Sequence, residues 1–300
     1  MEQIINKISQ KELGSVPDSI EAIIDKGKTN QVYKVLVEGT YYIFRLNNRD
    51  YLKTYEKEKF CIDKIQNLNI PSSICYGTGI ENDNSYIILN YIEGMNGLDL
   101  KDEEEQKRIW TKLGEFTSKF SEIEVEGCGM EVEDSNKGFF ESWNKFLDSK
   151  LDNLFGSNFF VDKNVLTEEQ SINLKNRLEE MYKWEFTPRL NHGNLNTSNA
   201  VVSPDGTVYL IDWGNGSGYR ASYADLADII AWKEGQKYLD YFLEGYGMSK
   251  EDFNEIEHEV NNVLIIQFMD LIKKGIENNY EHLSNKEFIE KTVKRIMEMK

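Results

Sequence analysis

Cysteine is scarce in this chain of 300 residues, which contains three: Cys61, Cys75 and Cys128. They lie far apart and match no metal-binding spacing. A sparse, odd-numbered set is typical of reduced thiols that serve in packing. The sequence therefore predicts a cytoplasmic protein that relies on neither disulfides nor a cysteine metal site.

The sequence also shows no pattern typical of a signal peptide or of a membrane-spanning helix. No basic segment followed by an apolar stretch opens the chain, so we expect no signal peptide. The most apolar run, 263–272, is interrupted by Gln267 and Asp270. Such a run is too short and too polar to cross a bilayer. We expect it to form a buried helix of a soluble protein.

Positive charge is in deficit, because 35 Lys and Arg residues stand against 52 Asp and Glu residues, a formal net charge of −17. A surface of this sign repels nucleic-acid backbones and anionic membranes, so we expect neither as a partner. It attracts cationic ligands, but acidity can equally serve only to keep the protein soluble. Net charge therefore leaves the substrate undecided.

Strand patterns dominate the chain up to about residue 90. Alternating runs at 32–37 and 41–46 around a glycine-containing turn predict a hairpin. A helix is expected at 56–67, ending before Pro71, and a second strand pair at 75–80 and 86–91. These elements predict a small antiparallel sheet with one helix packed on it.

Helical periodicity dominates from about residue 102 onward, with a predicted boundary at 93–98. One hairpin interrupts the helices, with strands at 200–202 and 208–211 around the turn Pro204-Asp205-Gly206. The sequence therefore predicts an α+β protein with two lobes, residues 1–93 and residues 94–300.

A candidate metal-binding pair flanks this second hairpin. Asn199 ends the segment 190–199, and Asp212 follows thirteen residues later. An amide oxygen and a carboxylate at the two ends of one tight hairpin are hard ligands of the kind that Mg²⁺ prefers, with water and triphosphate completing the octahedron. Phosphoryl transfer requires such a metal and careful positioning more than covalent chemistry by the protein.

This pattern resembles the His-Gly-Asp-x4-Asn catalytic loop and the Ile-Asp-aromatic metal motif of the aminoglycoside phosphotransferase family, to which choline, homoserine and methylthioribose kinases are related. The resemblance covers roughly residues 20–235 and includes the downstream segment Tyr223-Ala224-Asp225-Leu226-Ala227. It implies a protein-kinase-like fold, with a nucleotide-binding lobe followed by a helical catalytic lobe. It also implies ATP or GTP and Mg²⁺ as cofactors.

Carried onto this chain, the resemblance implies that Asn199 and Asp212 bind magnesium. His192 would fasten the catalytic loop by hydrogen bonds rather than transfer protons. Asp225 would accept hydrogen bonds from the backbone of that loop. A carboxylate that favours a helix dipole explains Asp225 equally well from the sequence alone.

Position 194 departs from the family pattern, because Asn194 stands where the catalytic aspartate is expected. A carboxamide cannot take the proton of a hydroxyl nucleophile, and losing such a group typically removes about 10²–10⁴-fold of rate. Asn194 is then either an engineered replacement or the natural residue of a weak or inactive enzyme. A nucleotide-binding protein without catalysis is the alternative function.

The resemblance also assigns residues of the first lobe. A phosphate-covering loop would include Gly27, Thr29 and Asn30, although an ordinary turn explains it equally well. Arg45 would hold the phosphates and pair with a glutamate on the next helix, Glu58 or its rival Glu56. A hinge that reads the adenine edge would comprise Asn90, Tyr91 and Ile92.

Substrate recognition is expected from the helical lobe. An acidic pocket there would suit a cationic small molecule, with an aminoglycoside or similar antibiotic as the leading acceptor. Another small metabolite, namely choline, homoserine or methylthioribose, is the alternative acceptor. A solvated helix face explains each of the candidate carboxylates singly. These are Glu234, Asp240, Glu244, Asp270 and Glu277.

Overall fold

The computed structural model of the chain describes residues 1–23, 30–129 and 140–299. A five-stranded antiparallel sheet forms its first part, with the strand order β1-β2-β3-β5-β4. The strands are β1 (Ser19–Ile23), β2 (Gln31–Val37), β3 (Thr40–Asn48), β4 (Cys75–Glu81) and β5 (Asn84–Asn90). Both predicted strand pairs are confirmed. Their two-residue turns take the left-handed conformations that tight hairpins require, at Glu38-Gly39 and Asn82-Asp83.

Helix α1 (Glu2–Glu12) covers one face of the sheet, although the sequence pattern predicted no element for these residues. Ile5 and Ile8 of this helix are fully buried in a cluster with alternate sheet residues, among them Phe44 and Ile88. The helix was missed because its short apolar stripe lies next to segments with strong strand patterns. Its spacing at positions 4, 5 and 8 was the available signal.

Helix α2 (Leu52–Ile65) packs on the opposite face of the sheet. It begins four residues earlier than the predicted start at position 56 and places Tyr55, Cys61 and Ile62 in the interior. Side chains along β5 alternate between the two faces of the sheet. Ile87 is buried in the apolar cluster on the α2 side, and its two neighbours in the chain are buried in the cluster on the α1 side.

Helices make up most of the remaining chain. They are α3 (Glu103–Phe120), α4 (Trp143–Phe155), α5 (Phe159–Asp162), α6 (Glu168–Glu179), α7 (Tyr223–Ala231), α8 (Lys233–Tyr246), α9 (Lys250–Glu277), α10 (Glu281–Ser284) and α11 (Lys286–Glu298). The apolar run at 263–272 lies inside α9 and is mostly buried, as predicted. No helix in the described residues is long and apolar enough to span a bilayer.

Short strands interrupt these helices. They are β6 (Met95–Asn96), β7 (Arg189–Asn191), β8 (Ala200–Val202), β9 (Val208–Leu210) and β10 (Ser217–Tyr219). The hairpin β8–β9 was predicted, whereas β6 and the β7–β10 pair were not, because two or three residues carry no readable periodicity. The α+β class, with a small antiparallel sheet followed by a mainly helical remainder, is confirmed.

One apolar core runs from α2 into the helical part. Tyr55, Cys61 and Ile62 belong to the same buried cluster as Trp213 and Phe120, which stack edge to face at 5.2 Å. The predicted division at residue 93 lies between the end of β5 and the start of α3, and the apolar interior continues across it.

Helices α3 and α8 approach each other backbone to backbone. A Cβ added to Gly114 would lie 2.1 Å from the carbonyl oxygen of Phe242, and one added to Gly245 would lie 2.0 Å from that of Thr111. No real Cβ tolerates such distances, so both glycines are required for this helix contact.

Gly114→Ala is expected to lower the free energy of unfolding by about 3 kcal/mol, measured by urea denaturation. Helix propensity alone would change it in the opposite direction, because alanine is favoured over glycine by about 1 kcal/mol in a helix. Lys119→Ala, at an exposed position of α3, is the control and should change it by less than about 0.5 kcal/mol. A stabilised Gly114→Ala protein would contradict the close helix contact.

Candidate functional site

The segment 192–199 lies between β7 and β8, and Asp212 is the second residue after the end of β9. The carbonyl oxygen of Asn199 accepts a hydrogen bond from the Ile211 N–H at 2.9 Å, so the hairpin brings positions 199 and 212 close together. Asp212 has a left-handed backbone with φ of 65°. Its side chain is 40% exposed.

Arg45 on β3 links the sheet, α2 and this hairpin. Its Nη1 donates to Asp212 Oδ1 at 3.0 Å, and its Nη2 pairs with Glu58 Oε2. Glu58, rather than its rival Glu56, is therefore the helix residue that pairs with Arg45. Burial raises the pKa of the Glu58 carboxyl, against the opposing effect of the Arg45 charge.

His192 is fully buried behind the loop. Its Nε2 lies 3.0 Å from the carbonyl oxygen of Ile211, and its ring packs at 4.6 Å on that of Trp213. Burial lowers the pKa of His192 to about 4, so the ring is neutral at pH 7 and its Nε2–H donates to Ile211. These contacts tie the loop to the strand that leads to Asp212.

Asp225 holds the same loop from the other side. Its two carboxylate oxygens accept hydrogen bonds from the backbone N–H groups of His192 and Gly193, at 3.1 and 2.9 Å. It also lies in the first turn of α7, so both interpretations of this residue fit its position. Burial raises the pKa of Asp225 to about 7, although the two hydrogen bonds favour the charged form.

Asn194 lies at the tip of the loop, where it is half-buried. Its side-chain oxygen accepts a hydrogen bond from Asn196 Nδ2 at 3.0 Å. Its backbone carbonyl accepts one from Asn199 Nδ2 at 2.8 Å. The loop is therefore closed by its own amide groups and keeps a defined shape around position 194.

The predicted phosphate-covering loop is only partly described. Gly27 and Thr29 lie outside the described residues. The side-chain oxygen of Asn30 accepts hydrogen bonds from Asn47 Nδ2 at 2.8 Å and from the Tyr55 hydroxyl at 3.1 Å. This anchors the start of β2 beside the ring over which the guanidinium of Arg45 lies, at 5.7 Å.

The predicted hinge begins at Asn90, the last residue of β5. The N–H of Asn90 donates to the carbonyl oxygen of Ile74 at 3.1 Å, and that of Tyr91 donates to Tyr41 at 3.2 Å. Within the described chain, the N–H of Ile92 has no hydrogen bond to another backbone group. Ile92 is therefore the one of the three predicted hinge residues whose N–H is not used in backbone pairing.

A cavity of about 660 Å³ opens in front of the loop. Its walls come from α2, α4, α7 and α9, and Gly193, Asn194, Gly214 and Asn215 border it. Its charged lining residues are Lys53, Lys57, Lys150, Lys274, Asp228 and Asp270. Ammonium groups thus outnumber carboxylates in the described lining, contrary to the expected acidic pocket.

Of the five carboxylates considered for substrate binding, Asp270 alone lines this cavity among the described residues, and Lys150 Nζ pairs with it at 2.7 Å. Glu234 borders a smaller cavity of about 230 Å³. Asp240, Glu244 and Glu277 line neither one. Asp240, Glu244 and Glu277 are exposed, as the solvated-face interpretation expects. The spacing of residues along a helix does not tell which of its faces meets a cavity.

A family model described as "Phosphotransferase enzyme family" matches residues 22–257. The chain belongs to this family. A search among curated proteins finds no match.

Solved structures similar to this phosphotransferase share its fold over nearly the whole chain. A thermostable mutant of aminoglycoside phosphotransferase APH(4)-Ia, in ternary complex with ADP and hygromycin B, has a TM-score of 0.74 at 14% identity and covers 97% of both chains. The GDP and kanamycin complex of APH(2")-IIIa has a TM-score of 0.66 at 15% identity, covering 97% of this chain and 96% of the other. A putative fructosamine-3-kinase from Haemophilus somnus 129PT has a TM-score of 0.69 at 15% identity, covering 100% and 97%.

Two residues that line the candidate site were not predicted from the sequence. Asp228, one helical turn after Asp225, borders the cavity, and so does Gln267 on α9. The spacing Asp-x-x-Asp was the signal that could have drawn attention to Asp228. Its neighbours along the chain are apolar, and only the cavity shows that this carboxylate faces a site.

Proposed function

We propose that this protein is a small-molecule kinase, which transfers the γ-phosphoryl group of ATP or GTP, with Mg²⁺, to a hydroxyl of a small acceptor. The observation that carries the proposal is the junction at Arg45, which joins Glu58 of α2 to Asp212 beside the hairpin. Phosphoryl transfer depends on such positioning and on charge stabilisation. The ADP and GDP complexes of the similar structures support a nucleotide as donor.

Asn199 and Asp212 would hold the magnesium ion. The amide nitrogen of Asn199 donates to Asn194, so the amide oxygen is held on the opposite side of the planar group and is suited to a metal. The described residues contain no cluster of three or more His, Cys, Asp or Glu side chains that could bind a metal. Magnesium bound to a triphosphate needs only one or two protein oxygens, which this pair supplies. The ion would neutralise charge on the phosphates during transfer.

Arg45 would bind phosphate oxygens with its planar guanidinium, while Glu58 keeps that guanidinium in place. Ile92 would contact the adenine. Asn194 would face the acceptor hydroxyl and orient it, but its carboxamide cannot accept the proton. A nucleotide-binding protein without catalysis therefore remains the competing function, and location in the cytoplasm remains a prediction from the sequence.

Two acceptor classes have support. The resemblance predicts an aminoglycoside, and two of the similar structures hold hygromycin B and kanamycin. The charges around the cavity favour instead an acceptor that carries a carboxylate or phosphate. Lys150 neutralises Asp270, and Lys53 and Lys274 of the same lining stand against Asp228.

The magnitude of this charge effect favours the anionic acceptor. Two like charges about 6 Å apart near a protein surface repel by roughly 3 kcal/mol, for an effective dielectric constant of about 20. A polycationic antibiotic would meet this repulsion from Lys53 and Lys274, whereas an anionic acceptor would gain attraction of similar size. The anionic class is therefore the one we favour.

The function is tested by calorimetric titration of ATP with and without Mg²⁺, together with transfer of labelled γ-phosphate. The acceptor panel comprises gluconate, ribose 5-phosphate, kanamycin, a macrolide, choline, homoserine and methylthioribose, each offered to the wild type and to Asn194→Asp. We expect Mg²⁺-dependent ATP binding and transfer to the anionic acceptors in preference to kanamycin.

Other outcomes separate the competing interpretations. Nucleotide binding without transfer by either protein would favour the non-catalytic function. Preferred transfer to kanamycin would restore the aminoglycoside as acceptor. The absence of Mg²⁺-dependent nucleotide binding would remove the kinase proposal.

A further inference from the structure

Two carboxylates of α7 bracket position 194 of the catalytic loop. Asp225 accepts hydrogen bonds from the N–H groups of His192 and Gly193, the residues just before Asn194. Asp228 accepts one from the N–H of Leu195, the residue just after it, at 3.2 Å. The carboxylate of Asp228 is thus held one peptide unit away from the residue that replaces the expected aspartate.

The two carboxylates differ in what they face. Asp225 is fully buried and is absent from the described lining of the cavity, whereas Asp228 borders the cavity together with Gly193 and Asn194. An acceptor hydroxyl bound in front of the loop would therefore meet Asp228 and not Asp225.

Asp228 also differs from Asp270, the other carboxylate of the cavity wall. Asp270 is ion-paired with Lys150 at 2.7 Å, so its negative charge is neutralised by that lysine. The second partner of Asp228 is neutral, the side-chain amide of Gln267, whose Nε2 donates to Asp228 Oδ1 at 3.0 Å. Within residues 1–23, 30–129 and 140–299, no Lys, Arg or His side chain forms a salt bridge with it. A carboxylate has about four acceptor sites, so two hydrogen bonds leave room for a hydroxyl.

The surroundings of Asp228 make it a stronger base than an ordinary aspartate. Burial, and then the charge of Asp225, raises the pKa of Asp228 well above the usual range for aspartate, while the hydrogen bonds from Leu195 and Gln267 oppose that rise. A general base works best when its pKa lies nearer to the working pH.

We propose that Asp228 is the general base of this kinase, doing from helix α7 what the family's aspartate does from position 194. This rests on the function proposed above. As the acceptor O–H bond breaks, its proton passes to an oxygen of Asp228. The acceptor oxygen forms a bond to the γ-phosphorus, the bond from that phosphorus to the β–γ bridging oxygen breaks, and the nucleoside diphosphate leaves. Asp228 then releases the proton to solvent through the open cavity.

Asn194 keeps a supporting role in this arrangement. Its side-chain oxygen is held by Asn196, so the carboxamide is fixed in one orientation beside the acceptor. One residue orients the hydroxyl and another takes its proton, whereas the family's aspartate would do both. The substitution at position 194 is then compatible with an active enzyme.

The test compares four proteins: the wild type, Asp228→Asn, Asn194→Asp, and the double variant Asn194→Asp/Asp228→Asn. Each is assayed for transfer to the best acceptor of the panel, and for hydrolysis of Mg²⁺-ATP with water as acceptor. We expect Asp228→Asn to lower kcat by about 10²-fold or more, with unchanged ATP affinity by calorimetry. Adding Asn194→Asp should restore kcat to within about tenfold of the wild type.

The rescue distinguishes a loss of the general base from a structural disturbance of the loop. A carboxylate introduced at position 194 could take the proton, but it cannot replace a hydrogen bond lost at the N–H of Leu195. Asp240→Asn, at an exposed position of α8, is the matched control and should leave kcat unchanged. Full activity of Asp228→Asn, or a folded double variant no more active than Asp228→Asn, would overturn the assignment of Asp228. If all four proteins bind nucleotide and none transfers phosphate, the proposed kinase function itself is wrong.

Discussion

Asp212→Asn is expected to abolish Mg²⁺-dependent nucleotide binding and to lower the rate of phosphoryl transfer by about 10³-fold. The change removes one negative charge from the proposed metal site and keeps the shape of the side chain. Asparagine tolerates the left-handed backbone at this position, where φ is 65°, so the variant should fold. Calorimetric titration of ATP with and without Mg²⁺ measures the first effect, and labelled phosphate transfer measures the second.

The matched control lies on the same hairpin. Asp205 is exposed at the turn, where its carboxylate accepts hydrogen bonds from the Ser203 hydroxyl and the Thr207 N–H. Asp205→Asn makes the same chemical change outside the site and should leave nucleotide binding as it is. Equal Mg²⁺-dependent binding by Asp212→Asn and the wild type would refute a metal-binding role for Asp212.

Arg45→Met should lower the free energy of unfolding by about 3–5 kcal/mol, because it leaves a buried carboxylate without its counter-charge. The Glu58 side chain is 1% exposed, and its Oε1 has no hydrogen bond within the described residues. Urea denaturation at pH 7.5 gives the value. Arg49→Met is the control, since the pair of Arg49 with Asp83 is 66% and 85% exposed and should contribute less than about 1 kcal/mol.

The pH dependence of this loss has a definite sign. The pKa of Glu58 is raised in the folded protein, and removal of the Arg45 charge raises it further. When a carboxyl has a higher pKa in the folded protein than in the unfolded chain, the free energy of unfolding falls as the pH rises above the pKa of the unfolded chain. That pKa is close to 4.5 for glutamate. The loss of unfolding free energy in Arg45→Met should therefore become smaller as the pH is lowered from 7.5 to 5. Adding Glu58→Gln should recover part of it at pH 7.5. A deficit that is independent of pH would contradict a buried charge as the cause.

The sequence was most informative where local chemistry decides the structure. Glycine and asparagine at the turns predicted the sheet hairpins, and Pro204 and Gly206 predicted the hairpin before Asp212. The catalytic-loop motif predicted the family, which the family model confirms. The roles of His192, Asp225, Asn199 and Asp212 remain predictions, although their placement around one loop agrees with them.

What the sequence could not show depends on contacts between distant segments. The choice between Glu56 and Glu58 required the register of α2, which Tyr55 and Cys61 set by entering the interior. The charge of the cavity required knowing which lysines of α2, α4 and α9 meet there. Asp228 has no local signature beyond its spacing from Asp225.

The interior shared by α2 and the helical part limits how this protein can be recombined with its relatives. A chimera joined at residue 93 would set α2 of one parent against Trp213 and Phe120 of another, inside a single apolar cluster. In such a hybrid, the apolar face of α2 would not fit the residues packed against it. Glu58 lies on this helix and pairs with Arg45, so Arg45 would be displaced as well. Exchange of acceptor preference by swapping whole lobes is therefore disfavoured. Grafts confined to polar cavity-wall residues of α4 and α9, such as Lys150 and Lys274, would leave that shared interior intact.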